Sequence, residues 1–526
     1  MARVSVSALF IILSALPAVA GNGSEIIYSS DPEYQLAEFA RIASGRAAPS
    51  GVRSMTRREF GSRMNGGYQE TNDGFTSLFG LKLQPYAGAF NSPYSGKEEY
   101  VPAPMIYLYD KMPDIADVSL SAGIDDSFYT KIVYNVSCDK RSISGGAGLF
   151  HPASGDTYSS GDAPAQGYVS ISGDYYSVAF GRFKTGVGHG LMGNLFLNGQ
   201  APYYDQVQFA IYGEKLKFYY MLGSSSGKLS DDEYNIQSHE SDGSYIADGS
   251  DVNTCVTDTI KMFAVHRLEF VCADNLTMGV GGLSTVGGKY LDWSMINPVG
   301  IYHDAYDNRY HGYYFGADVS WVPANGHMAF AEVLSDQIKC KGERNDAPTA
   351  LGWQLGYWLI LPVESKAKHR IALEASHLDT WTYVNKSPYL CMYQRRVQRT
   401  VTSDVPLGYS QGGDCEQLSL VYTVVSESGL KIELSVSRLH KGEVGFEVIG
   451  TGESSHLPYS EAHSYKYGPS GTVERWSTFE ASLSIPLSRR LSLDVLGHYS
   501  YIDNFNHRKG SSRQLAVFTG GISVGI

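Results

Sequence analysis

Two kinds of connection alternate along the chain, and this alternation constrains the fold more than any other feature of the sequence. Segments with apolar residues at every second position are joined in turn by turns of roughly two to six residues and by loops of roughly ten to thirty-five residues. In a transmembrane β-barrel one end carries short turns, the other carries long loops, and each strand alternates lipid-facing with lumen-facing residues. The sequence therefore predicts an all-β chain that forms a transmembrane antiparallel β-barrel.

The alternating segments predict about 18 strands, an even number that leaves both termini on the periplasmic side. The apolar stretch from Pro104 to Tyr109 would break this parity and is assigned to the first outer loop. The predicted strands span residues 77–90, 116–124, 127–136, 167–173, 175–184, 205–213, 214–223, 260–271, 275–285, 312–322, 327–335, 350–361, 369–380, 416–426, 429–440, 474–486, 490–502 and 513–525.

Composition fits one large closed sheet. Tyrosine occurs 38 times, as expected for interfacial aromatic girdles, and only 18% of the 526 residues are charged. The net charge of -12 argues against a nucleic-acid partner, because such proteins need a basic surface. A secreted β-sandwich or propeller shows similar alternation, but it does not place long and short connections at opposite ends over so many hairpins.

The N-terminal residues have the pattern of an export signal followed by two short helices. Arg3 precedes an apolar run at residues 8–16 that is too short to span a membrane core, which needs about 20 residues. Asp31 with Pro32 predicts one helix start, and a capping box at Thr56 predicts another. These helices need a surface to dock on, either the periplasmic end of the barrel or its lumen. The predicted organisation is a signal peptide at 1–20, a periplasmic segment at 21–76 and an outer-membrane barrel at 77–526 of a Gram-negative-type cell envelope.

Known catalytic and metal motifs match only by chance. Residues 188–193 spell G-x-G-x-x-G and residues 223–227 spell G-x-S-x-G, but neither precedes a helix that could hold a phosphate or a nucleophile. The acidic loop at 231–251 lacks the spacing of a calcium-binding hand. We expect no enzymatic activity, no cofactor and no metal. Among the six cysteines, Cys391 and Cys415 bracket one loop and are the best candidate disulfide, with free thiols as an open alternative.

Charged residues within the strands should face the lumen, because on the lipid side each would cost about 2 to 4 kcal/mol at mid-membrane depth. Arg267 and Glu269 share one face of their strand, and Asp318 occupies the polar parity of its own. Such residues either pair to stabilise the barrel or contact a ligand. Arg182 has the parity of the apolar positions in its strand, so an inward Arg182 requires a bulge, with Gly181 as the candidate.

Short motifs follow a fixed order between about residues 175 and 415. They are Gly181-Arg182-Phe183-Lys184, Gly188-His189-Gly190, Asn194-Leu195, Ala201-Pro202, His266-Arg267-Leu268-Glu269, Asn297-Pro298, Asn308, Gly316-Ala317-Asp318, Glu332 through Asp336, Gln354-Leu355-Gly356 and Pro406-Leu407-Gly408. Together they resemble the capsule assembly proteins of the Wzi type. The resemblance implies an outer-membrane barrel of about eighteen strands with periplasmic helices and a largely obstructed lumen. It also implies a lectin that binds exported capsular polysaccharide at the cell surface.

The resemblance, carried over by position, points to a set of polar residues as ligand or lumen candidates: Arg182, His266, Arg267, Glu269, Asn297, Asn308, Asp318 and Glu332. Glycan recognition in the outer loops would use aromatic faces, and the candidates are Tyr302, Tyr306, Tyr310, Trp381 and Tyr383. Tyrosines at strand ends are also ordinary interfacial anchors, so both interpretations stay open.

The predicted function is a non-enzymatic surface protein that binds capsular or extracellular polysaccharide, surrounded by outer-membrane lipid. The alternative is a porin-like diffusion channel for small solutes or sugars, which needs an open lumen with a charged constriction. A third possibility is an adhesin that binds a host protein through the 223–258 loop. Neither the sugar nor the oligomeric state follows from the sequence.

Overall fold

The computed structural model describes residues 21–64, 68, 74–94, 103–138, 146–150, 157–159, 164–225, 260–288, 297–299, 311–337, 350–363, 365–384, 391–396, 402–444 and 467–525. Its main body is a closed antiparallel β-barrel of 18 strands, which confirms the predicted fold class.

In chain order the elements are β1 (Ile26–Tyr28), α1 (Pro32–Ala43), β2 (Ser54–Thr56), α2 (Arg57–Met64), β3 (Phe75–Leu83), β4 (Tyr86–Ser92), α3 (Ala103–Lys111), β5 (Ala116–Ile124), β6 (Phe128–Cys138), β7 (Gly146–Phe150), β8 (Thr157–Ser159), β9 (Gln166–Ser172), β10 (Tyr176–Phe183), β11 (Tyr204–Tyr212), β12 (Leu216–Ser224), β13 (Ile260–Ala273), β14 (Leu276–Gly288), β15 (His311–Ala324), β16 (His327–Gln337), β17 (Ala350–Ile360), β18 (Ala367–Leu378), β19 (Met392–Arg396), β20 (Thr402–Pro406), β21 (Cys415–Ser426), β22 (Lys431–Lys441), β23 (Glu474–Ser488), β24 (Leu491–Asp503) and β25 (Ser512–Gly525).

The barrel closes where the last strand meets the first. β3 and β4 together form the first wall strand, and β25 pairs antiparallel with both. The short segments β7 and β8 pair with β4 and β6. Every predicted strand overlaps a wall strand. The stretch from Pro104 to Tyr109 is helical, within α3, rather than loop, and its residues 105–109 are buried.

The wall turns apolar side chains outwards, the inverse of a water-soluble sheet. Along β17, Gln354 and Trp358 are buried towards the lumen, while Trp353, Leu355 and Tyr357 point outwards and are exposed. This is the arrangement of a barrel whose outer surface faces lipid. In the described part of the chain, no helix is both long enough and apolar enough to cross a bilayer.

The predicted N-terminal helices are present, and the first lies inside the barrel near the end that carries the short turns. Phe39 and Ile42 of α1 belong to one buried apolar cluster with Trp358 and Val421 of the wall. The hydroxyl of Thr56 accepts a hydrogen bond from the amide of Glu59 at 3.4 Å, as a capping box predicts. The lumen is therefore the docking surface for this segment.

Candidate functional site

The connection between β10 and β11, residues 184–203, folds back into the lumen. Val187, His189 and Phe196 are each at most 1% exposed. Gly188 has φ +138°, and a Cβ there would lie 2.8 Å from both carboxylate oxygens of Glu332. Gly188 and Gly190, the first two glycines of the G-x-G-x-x-G motif, thus allow the connection to approach the wall closely.

Two carboxylates on the inner wall hold this connection by its backbone. Glu374 accepts hydrogen bonds from the amides of Leu191 at 2.9 Å and Met192 at 3.3 Å. Glu332 accepts from the amides of His189 and Leu195, the latter at 3.4 Å. Bonds from backbone amides to charged acceptors are stronger than neutral ones. The wall therefore anchors the connection through the carboxylates of Glu332 and Glu374.

A second group of charges centres on Arg267 of β13. Its guanidinium contacts Asp318 at 2.5 and 2.9 Å and Glu269 at 2.8 Å. Asp318 also lies 3.1 Å from Nε2 of His189, and Glu269 accepts a hydrogen bond from the amide of Gly51 at 2.8 Å. This cluster joins two wall strands, the inward connection and the N-terminal segment.

The N-terminal segment adds charges of its own. Nζ of Lys217 lies 2.6 Å from Glu59, and Arg53 lies 3.3 Å from Glu38 while donating to the carbonyl of Gly188 at 2.7 Å. Burial opposes the charge of Arg53, but Glu38 and other carboxylates raise its pKa above the ordinary value. These two cations are thus each paired with a carboxylate while buried, as buried charges must be.

The structure brings four of the predicted polar candidates together in the lumen: Arg267, Glu269, Asp318 and Glu332. The sequence alone did not identify Glu38, Arg53, Glu59 or Lys217 as part of the same network. Lys217 carried a usable signal, because a lysine within an alternating apolar strand should face inwards. Glu38 and Arg53 lie outside any strand pattern, and the capping box marked Glu59 only as part of a helix start.

Arg182 and His266 are not in the lumen, which corrects two predicted positions. The ladder between β10 and β11 stays in register through Gly181, so no bulge turns Arg182 inwards. Arg182 instead contacts the outward Asp205 opposite it through two 2.7 Å hydrogen bonds. His266 has the opposite parity from Arg267 and stacks on Tyr313 at 5.9 Å on the outer face.

Two of the predicted glycan platforms, Trp381 and Tyr383, are also placed differently. Trp381 is 6% and Tyr383 is 4% exposed, and the hydroxyl of Tyr383 donates to the carbonyl of Leu195 at 2.7 Å. The ring of Tyr383 is therefore packed inside the protein and is not available to stack on a glycan. Asn297 is exposed, and its side-chain oxygen accepts from the amide of Val299 at 3.1 Å. Asn308, Tyr302, Tyr306 and Tyr310 lie outside the described residues.

The best candidate disulfide does not form. Cys391 and Cys415 are both buried free thiols, so the free-thiol alternative holds for this pair. Cys391 contacts the hydroxyl of Tyr314, and Cys415 donates to the carbonyl of Gly412 at 3.4 Å. Among the described residues, no group of three or more histidine, cysteine or carboxylate side chains is arranged to hold a metal ion.

Comparison with known proteins gives a structural likeness but no family. No family model matches this chain, and no curated protein sequence matches it. A solved structure of Wzi from Escherichia coli, described as an outer membrane protein involved in group 1 capsule assembly and as a carbohydrate-binding β-barrel, superposes with a TM-score of 0.56. The identity is 12%, over 96% of this chain and 99% of that chain.

Two porins are similar at a lower level. OprD from Pseudomonas aeruginosa has 12% identity, a TM-score of 0.40 and coverage of 87% of this chain and 95% of that chain. An anion-selective porin from Comamonas acidovorans has 9% identity and a TM-score of 0.34, with 86% of this chain and 100% of that chain covered. The likeness to Wzi shows that this chain has the fold of an outer-membrane β-barrel.

Proposed function

We propose that this protein is an outer-membrane surface barrel that binds exported capsular or extracellular polysaccharide and has no enzymatic activity. The observation that carries the proposal is the occupation of the lumen by the protein's own chain. The connection at 184–203 is held there by Glu332 and Glu374, and the N-terminal segment is held by Glu269. A barrel filled in this way leaves the end that carries the long loops for recognition at the cell surface. A fold shared over 96% of the chain with a carbohydrate-binding barrel supports the choice of ligand.

The helix α3 adds a second internal obstruction, on the other side of the lumen. Met105, Ile106 and Leu108 belong to one buried apolar cluster with the wall residues Leu496 and Leu515. Lys111 at the end of the helix lies 2.6 Å from Glu480 of β23. A diffusion channel needs a continuous water-filled path, and this helix occupies part of the lumen, which supports the proposal.

One observation favours the alternative, a diffusion channel for small solutes. Inward-facing polar residues of β22 to β24 are only partly buried, including Glu433, Ser484 and Asp494, and Ser482 is exposed. This side of the lumen is therefore accessible to water near the short turns, whereas Glu480 and Leu496, further along the same strands, are buried. It would conduct if α3 and the connections around it left a gap.

Conductance and glycan binding, measured on the same purified protein, separate the two functions. We expect no stable conductance in planar bilayers, with an open porin as the positive control. On arrays of bacterial capsular and extracellular polysaccharides we expect saturable binding. Stable conductance that sugars block, together with blank arrays, would overturn the proposal and establish the channel. Binding to host proteins with blank arrays would favour an adhesin instead.

A further inference from the structure

A row of charged side chains crosses four strands on the outward face, at the end that carries the long loops. Cross-strand pairing aligns Glu416, His440, Arg475 and Asp503 in the outermost row. The row two residues further down each strand contains Leu418, Arg438, Ser477 and Tyr501. The next row is entirely apolar or aromatic, with Leu420, Val436, Phe479 and Tyr499. The charges thus begin where the lipid-facing band ends.

Most outward charges in this region are compensated within the protein. Arg475 lies 3.3 Å from Asp503, and Glu416 lies 3.1 Å from His377 and 3.8 Å from His440. The same holds on the far side of the barrel, where Arg182 lies 2.7 Å from Asp205. Two outward arginines at this end of the wall, Arg475 and Arg182, are therefore each matched with a carboxylate.

Arg438 is the exception. It is exposed, and its contacts among the described residues are the hydroxyl of Ser477 and Nε2 of His440, the latter at 3.4 Å. No carboxylate of the described chain lies within ion-pair distance of it. It also lies one row closer to the apolar band than the compensated charges.

The position of Arg438 just beyond the apolar band determines which kind of partner it can bind. An arginine on the lipid face is costly at the membrane midplane, and the cost falls towards zero at the interface, where polar headgroups begin. Guanidinium groups bind phosphate through paired, charge-assisted hydrogen bonds. The neighbouring Ser477 hydroxyl and the half-exposed ring of Tyr501, at 40% exposure, provide further polar groups beside it. A phosphate at headgroup depth would complete this arrangement.

We infer that Arg438, with Ser477 and Tyr501 beside it, binds a phosphate group of a phosphorylated lipid in the outer leaflet. The acyl chains of such a lipid would lie along the apolar row that contains Val436 and Phe479. These side chains are 54% and 48% exposed, as lipid-contacting residues should be. The site holds a lipid against the wall and is separate from the lumen.

Lipid retention on the full-length protein tests this site. The protein is exchanged from detergent into phosphatidylcholine containing either diphosphoryl lipid A or its dephosphorylated form, and the lipid that co-purifies is counted by native mass spectrometry. Wild type should retain the diphosphoryl form, and Arg438→Gln should retain about five-fold less, as expected for one surface cation at a membrane. Arg438→Lys should keep part of the retention.

Lys509→Gln is the matched control, because it removes one exposed positive charge from the β24–β25 connection, beyond the strand ends. It should retain lipid like wild type. Equal retention by wild type and Arg438→Gln would overturn the site, and so would an equal loss in Lys509→Gln or equal binding of the dephosphorylated lipid. Full displacement by inorganic phosphate would make the ligand a free anion rather than a lipid. The test uses no polysaccharide, so its result is independent of glycan binding.

Discussion

The two sides of the lumen differ in what their inward-facing residues meet. Between β12 and β18, Lys217, Arg267 and Glu332 are at most 1% exposed, because the N-terminal segment and the 184–203 connection pack against them. Between β22 and β24, Lys431 and Glu433 are only partly buried, and Ser482 is exposed. Both sides have the same inside-outside alternation. Strand periodicity decides which residues face inwards, whereas the segments that enter the barrel decide whether the inside is dry.

This difference has energetic consequences. Removing one partner of a buried ion pair leaves an uncompensated charge without solvent, and typically costs about 3 to 5 kcal/mol. Removing a solvated charge costs little, because water already screens it. Substitutions on the packed side should therefore be far more destabilising than matched ones on the water-accessible side.

The largest effect is expected for Arg267→Met. It would leave Asp318 and Glu269 buried beside each other without their cation, and should lower the free energy of unfolding by about 3 to 5 kcal/mol. Urea unfolding of the protein folded in vesicles measures this change. Arg182→Met, which breaks a partly exposed pair on the outer face, should cost no more than about 1 kcal/mol. Equal losses in the two variants would contradict the comparison.

The next largest effect is expected for Gly188→Ala. The backbone at position 188 has φ +138°, which residues with a Cβ rarely adopt, and the added Cβ would press on the Glu332 carboxylate. We therefore expect a loss of about 3 kcal/mol. The same unfolding experiment applies. Gly213→Ala is the control, because a Cβ at Gly213 meets nothing within 4 Å. A neutral Gly188→Ala would mean that the inward connection is packed more loosely than the structure indicates.

A matched pair of lysines compares the two sides directly. Lys217 is buried beside Glu59 at 2.6 Å, whereas Lys431 is partly exposed and donates to the carbonyl of Ser30 at 3.2 Å. Lys217→Met should cost about 2 to 3 kcal/mol, because the Glu59 carboxylate loses its partner. Lys431→Met should change stability by less than about 0.5 kcal/mol. If both lysines cost the same, the two sides do not differ in hydration.

The smallest effect is expected for Glu374→Gln, which keeps the shape of the anchor but removes its charge. The bonds from Leu191 and Met192 would become neutral, with a loss of about 1 kcal/mol. Hydrogen exchange should increase in residues 184–203 and remain unchanged in α1. Glu433→Gln on the water-accessible side is the control and should leave exchange in 184–203 unchanged. Unaltered exchange in the Glu374 variant would show that the carboxylate does not anchor this connection.

Strand positions were predictable because a lipid-spanning wall imposes the same period of two on every strand. Arg267, Glu269 and Asp318 were correctly expected to face inwards for the same reason. Their partners were not predictable, because His189 and Gly51 lie on irregular segments far away in sequence. The outward positions of Arg182 and His266 also followed from parity, but the motif resemblance grouped them with the lumen residues.

The sequence by itself determined the wall, because periodicity and membrane thickness act on each strand separately. It also determined the two short helices through their capping signals, without deciding whether they dock on the periplasmic end of the barrel or in its lumen. Only the tertiary structure decided which loops enter the barrel and which charges they meet. The physical reason is that a buried carboxylate accepts whichever backbone amides or cations reach it, and reach depends on how distant segments fold together.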